Sequence, residues 1–106
     1  MRVVSLVPSV TESLREWGIE PVACTRFCEQ PDLPHVGGTK DPDIEAIVGL
    51  APDVVVVNDE ENRLEDHDAL VEAGLDVHVV RVTSVADVAP AMAALRGRLG
   101  LPEDRA

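Results

Sequence analysis

Four consecutive valines, Val54 to Val57, constrain the fold more than any other stretch of the chain. A strand with one wet face alternates apolar and polar residues, whereas one that is apolar at every position must be covered on both faces. Such strands belong to parallel sheets with helices above and below. Residues 53–57 hold the valine run, and residues 2–7, 21–25 and 76–82 share its apolar, β-branched character. Between these segments the apolar spacing lengthens to the helical period, so the chain reads β-α-β-α-β-α-β-α. Right-handed crossovers then put helices on both faces of a small parallel four-stranded sheet. The expected strand order is 2-1-3-4, an α/β arrangement that is Rossmann-like or flavodoxin-like in outline.

Each helix carries its own start and stop signals. Ser9 and Glu12 have capping-box spacing ahead of Val10, Leu14 and Trp17, and Gly18 closes that helix. Asp41 followed by Pro42 reads as an N-cap and first-turn proline, with Ile44, Ile47 and Val48 at helical spacing before Gly49 and Pro52. Asn62 with Glu65 fits a third cap, ahead of Leu64, Val71 and the stop at Gly74. Ser84 with Asp87 starts the last helix, whose Val85, Val88, Met92, Leu95 and Leu99 form one stripe ending at Gly100 and Pro102. Pro90 inside it predicts a kink or a displaced start.

At 106 residues the chain suits one compact domain. We expect a single α/β lobe over residues 1–101 and a short tail over 102–106. Hydrophobic residues make up 45%, enough for a core and against intrinsic disorder. The charge excludes whole classes of partner. With 9 basic against 20 acidic residues the formal charge is −11, and Trp17 and Phe27 are the only aromatics. Nucleic-acid binding needs a basic footprint and stacking platforms, so none is expected, and anionic membranes repel such a chain. No apolar run reaches membrane-spanning length, and the sequence from Met1 runs directly into a strand without a secretory h-region. From the residues alone the expectation is a chain without a transmembrane segment that stays in the cytoplasm.

In an open parallel sheet ligands approach the carboxyl ends of the strands. The loops to inspect therefore begin at Pro8-Ser9-Val10-Thr11, at Arg26 to Pro31, at Asn58 to Arg63 and at Thr83-Ser84. Val36-Gly37-Gly38-Thr39-Lys40 fits neither nucleotide-binding glycine pattern and follows no expected strand, so it reads as a tight turn. Asp59, Glu60 and Glu61 could meet a cation or a basic partner, against the plainer reading of charge solvated at a helix N-terminus. Cys28, beside Phe27, could offer a thiolate to a soft metal, although no Cys-His motif accompanies it; Cys24, inside a strand, reads as core. His35, His67 and His78 have no metal-ligand spacing, Trp17 reads as a core anchor, and Lys40 and Arg63 read as solvated.

Taken together, RVVSLVPSVTESL, TRFCEQP, VGGTKDPDIEAIVGLAPDVVVVNDEENRLED and AGLDVHVV resemble the helical-backbone metal receptors. These are the class III substrate-binding proteins of ABC transporters for cobalamin, ferric siderophores and haem, and the cobalamin-binding branch is the nearest in pattern. The resemblance implies a non-enzymatic receptor of two α/β lobes joined by a long helix, with the chelate held between the lobes as cargo and no tightly bound cofactor. This chain resembles the first lobe, and residues 102–106 fall where the connecting helix would begin. The partners implied are the metal chelate, an ABC transporter permease, and a missing second lobe or a second copy in a homodimer. The family's compartment is periplasmic or at the cell surface. Pro8 matches a cleft-wall proline and Phe27 an aromatic that packs on the ligand, with Ser9, Val10, Thr39 and Asn58 around them. Asn58 stands where some members have tryptophan, which departs from the corrinoid pattern. The permease-docking glutamate aligns with Leu64, so Glu65, Glu60 and Glu61 are the docking candidates. Two other readings stand beside this one: haem or siderophore as the chelate, and a flavodoxin-like nucleotide-binding or interaction module. Against a nucleotide, the Pro8-Ser9 turn contains no glycine.

Overall fold

The computed structural model describes residues 2–25, 35–38, 42–58, 62–81 and 85–100. Its elements run in the expected alternation: β1 (Val3–Ser5), α1 (Pro8–Glu16), β2 (Ala23–Cys24), α2 (Ile44–Gly49), β3 (Val54–Asn58), α3 (Leu64–Glu72), β4 (Val77–Val80) and α4 (Val85–Arg98). β1, β2 and β4 are shorter than the apolar runs that announce them, while β3 keeps its expected length and lies one residue later. They form one sheet in the order β2-β1-β3-β4, as read from the sequence, and every pairing is parallel.

The valine run is the centre of this architecture because its side chains alternate between two cores. Val54 and Val56 join Val3, Val7, Val10, Leu14, Leu95 and Leu99 on the face covered by α1 and α4. Val55 and Val57 join Val4, Leu6, Ile47 and Leu70 on the face covered by α2 and α3. All four valines are at most 3% exposed. Burying one such side chain contributes about 1.5–3 kcal/mol relative to leaving it in water, so this single strand anchors both layers. At the amino edge of the sheet the Arg2 N–H donates to Asp53 Oδ2 at 2.6 Å, and the Arg2 guanidinium donates to the Leu50 carbonyl at 2.7 and 3.0 Å.

The helix starts differ from the expectation. α1 begins at Pro8 with extended Val7 as its N-cap, so Ser9 lies inside the helix and its capping box with Glu12 does not form. Proline serves there because its missing N–H is one that a first turn leaves unbonded. Two buried hydroxyls tie the turn instead: Thr11 Oγ1 donates to Ser5 Oγ at 2.9 Å, and Ser5 Oγ donates to the Val7 carbonyl at 3.0 Å. For α2 the cap is Asp43, two residues later than Asp41, with its carboxylate accepting from the Ala46 N–H at 3.1 Å. Pro42 instead forms an antiparallel bridge with Gly37.

α3 has Arg63 as N-cap with no side-chain cap bond, since the expected cap, Asn62, is engaged elsewhere. Leu64 and Val71, the apolar positions named for this helix, are 70% and 50% exposed, and Leu70 makes the burial instead. In α4 Leu95 is buried, as is Leu99 just after the helix, while Val88 is 43% exposed. That helix starts at Val85 and continues through Pro90, so its start is not displaced past the proline. Ala86 and Pro90 are both exposed, which leaves water to serve the carbonyl that proline cannot. Ser84, Asp41 and residues 102–106 lie outside the described residues.

Candidate functional site

The chain leaves β1 toward β2 on one side of the sheet and leaves β3 toward β4 on the other. The carboxyl ends of β1 and β3 are therefore the topological switch point, where an open α/β sheet presents its ligand crevice. From β1 the chain passes through Leu6 and Val7 into Pro8, the first residue of α1. From β3 it ends at half-buried Asn58, and α3 begins six residues later at Leu64.

Asn62 joins these two ends. It is 7% exposed, its side-chain oxygen accepts from the Asn58 N–H at 2.7 Å, and its side-chain nitrogen donates to the Leu6 carbonyl at 3.1 Å. Its own N–H donates to the Asn58 carbonyl at 3.0 Å, and the Leu6 N–H donates to the Val56 carbonyl at 2.9 Å. Sequence reasoning took Asn62 for a cap and missed this role. The pair Asn58 and Asn62 bracketing three acidic residues signals the local bond between them, because asparagine side chains bond to nearby backbone where a chain turns, but not the bond to Leu6.

Beside this joint a hollow of about 100 Å³ opens between β3, β4 and the first turns of α3, lined by Val57, Asn58, Arg63, Leu64, His67 and Arg81 among others. Arg63 is not simply solvated: its guanidinium grips Asp66 at 2.9 and 3.1 Å and lies 3.7 Å from Glu65. That fork-to-carboxylate geometry holds the start of α3, and Asp66 is 8% exposed beneath it. His67 Nδ1 lies 3.1 Å from Asp68 Oδ1. Burial lowers the pKa of His78, on β4, below its ordinary 6.5.

The expected site residues fare differently. Pro8 and Ser9 open α1 at the switch point, and Asn58 ends β3 beside it. Val10 is a correction: at 1% exposure it packs in the core with Val7 and Leu14, so its side chain faces the sheet and not a ligand. Glu65 is exposed on the first turn of α3, next to Leu64. Phe27, Cys28, Thr39, Lys40, Glu60 and Glu61 lie outside the described residues. Cys24 is buried in β2, and exposed His35 pairs with it by a parallel backbone bridge. Trp17 packs against the core of the α1/α4 face, with Arg96 stacked 4.8 Å from its ring centroid. Among the described residues no three His, Cys, Asp or Glu side chains converge as a metal cage, and no helix is long and apolar enough to cross a membrane.

The sequence profile of one protein family, described as periplasmic binding protein, matches residues 3–104. The chain belongs to the periplasmic binding protein family. Its fold as a family member is that of the lobe expected from its resemblance to the metal-chelate receptors. A periplasmic haem-binding protein from Pseudomonas aeruginosa superposes with a TM-score of 0.84 at 23% identity, over 95% of this chain and 39% of that one. The vitamin B12 binding protein BtuF of Vibrio cholerae gives 0.79 at 24% identity, over 91% and 40%. The siderophore binding protein FhuD from Vibrio cholerae, solved with ferric Desferal, gives 0.79 at 21% identity, over 94% and 42%. This periplasmic binding protein family member thus spans about two fifths of the length of the structures it matches. A comparison with curated protein sequences gives no match.

Proposed function

We propose that this chain is a non-enzymatic binding lobe for a metal chelate, with a corrinoid such as cobalamin as the first candidate and haem or a ferric siderophore as the alternatives, serving import through an ABC transporter. The observation that carries the reading is the coincidence of family and edge: a periplasmic binding protein lobe whose switch point is bordered by Pro8, Ser9 and Asn58. Structurally similar proteins include a haem-binding protein, a vitamin B12 binding protein and a siderophore binding protein with a ferric siderophore bound, three metal chelates of unlike chemistry. In this reading residues 1–101 are the binding unit, Phe27 and Thr39 complete its half of the cleft, and a second lobe or a second copy closes the other half. The exposed Glu65, with Glu60 and Glu61, faces the permease. The compartment follows from the role and lies on the substrate side of the membrane.

Half a cleft buries too little of a ligand for tight binding, since closed sites cover about 70–90% of a drug-sized ligand. The test is an absorption difference titration of the purified chain with aquocobalamin, haemin and ferric Desferal, repeated on Cys28→Ser. The expected result is a saturable band shift with one chelate at micromolar or weaker affinity; its loss in the variant makes the Cys28 thiolate a metal ligand. Absence of any shift with all three overturns the chelate reading, and nanomolar binding by a proven monomer overturns the half-cleft.

A further inference from the structure

Asn62 is placed as a helix-capping residue would be, yet Arg63 holds that position in α3 and the Asn62 side chain spans two strands instead. Its carboxamide is oriented without ambiguity: the oxygen meets an N–H at 2.7 Å and the nitrogen meets a carbonyl at 3.1 Å, and turning the group over would set like against like at both ends. The oxygen and nitrogen of an amide are a fixed distance apart. Bonded to Asn58 at one end and Leu6 at the other, the group sets the separation between the carboxyl ends of β3 and β1.

Those two ends are the borders of the switch point. Leu6 stands two residues before Pro8, and Asn58 is the last residue of β3. The Asn62 N–H also returns to the Asn58 carbonyl, so Asn62 holds both backbone groups of Asn58. At 7% exposure these bonds sit where water competes poorly. A carboxylate keeps the acceptor and loses the donor, and an aliphatic side chain loses both.

We propose that Asn62 is a positioning residue for chelate binding, acting through the spacing it imposes between the Pro8 turn and Asn58. The proposal rests on the chelate-binding reading given above.

The 106-residue chain and its Asn62→Ala, Asn62→Asp and Leu99→Ala variants are titrated with aquocobalamin, haemin and ferric Desferal, and amide exchange at Asn58 is followed without ligand. Leu99→Ala is the stability control, a core deletion at the far end of α4. Asn62→Ala should weaken binding of the chelate that the wild type takes by about three- to tenfold and speed exchange at Asn58. Asn62→Asp, nearly the same shape, should fall between in affinity and keep Asn58 protected, and it remains readable should the alanine variant fail to fold. Leu99→Ala should lower the unfolding temperature and leave affinity unchanged. Wild-type affinity in a folded Asn62→Ala, unaltered exchange at Asn58, or affinity losses that track unfolding temperature alike in all variants would each overturn the proposal. A wild type that binds none of the three chelates brings down the chelate reading itself, a result separate from any difference among variants.

Discussion

Ala51 adopts φ 49°, the left-handed region, and is alone among the described non-glycine residues in doing so. It sits between α2 and β3, where the chain must reverse before Pro52 and Asp53 enter the sheet. An L-residue held there costs about 1–2 kcal/mol from the contact between Cβ and backbone oxygen, part of which glycine returns as unfolded-state entropy. Ala51→Gly should therefore raise stability by about 0.5–1 kcal/mol, seen as a higher urea midpoint with an unchanged slope. Some single residues were misread because one residue type serves several masters. Val10 fits the helical stripe with Leu14, and that periodicity already places it toward the sheet; its position in a loop-edge motif suggested a ligand contact that burial excludes. Asn62 fits a cap by type and position, but a cap bond is local, and the bond it makes reaches back 56 residues to Leu6, which no local pattern reports.

β4 is an edge strand, and its first three residues Val77, His78 and Val79 are half-buried, unlike the four buried valines of β3. His78 stands there beside Ala91 and Ala94 of α4, and Arg98 of the same helix pairs with Asp76 just before the strand. Burial disfavours the imidazolium, so the unfolded chain takes up a proton at a pH where the folded chain does not. The stability this neutral histidine permits is complete above 6.5 and is lost as pH falls from that value through the lower folded pKa. In His78→Gln that loss should vanish: the difference in urea midpoint between wild type and variant should change across this window and stay flat above it. A difference that stays flat throughout removes His78 from the account of acid sensitivity. The existence and order of the elements were legible because valine runs, glycine stops and crossover handedness are strong and redundant signals. Helix starts were less so, since Asp41 and Asp43, or Ser9 and Pro8, compete for one turn and packing decides between them.

At the scale of the lobe, the sheet is covered on both faces, and the switch point lies at the carboxyl ends of β1 and β3. The −11 charge is carried by a chain whose hollow beside α3 nonetheless gathers Arg63, Arg81 and His67, with Arg63 spent on Asp66 and Glu65. Fold topology makes the carboxyl edge of the sheet legible in the sequence, while the bond from Asn62 to Leu6 joins residues 56 apart and leaves no local signal. The alternation of Val54 to Val57 reaches beyond packing to cooperativity. Each core takes two alternate valines from this one strand, so melting either layer strips the strand from the other and leaves no stable half-structure. Trp17 reports from one layer alone, and helices on both layers supply the far-ultraviolet dichroism. Fluorescence and dichroism should accordingly trace one denaturation curve; separated midpoints would mean that the two layers can part company along β3.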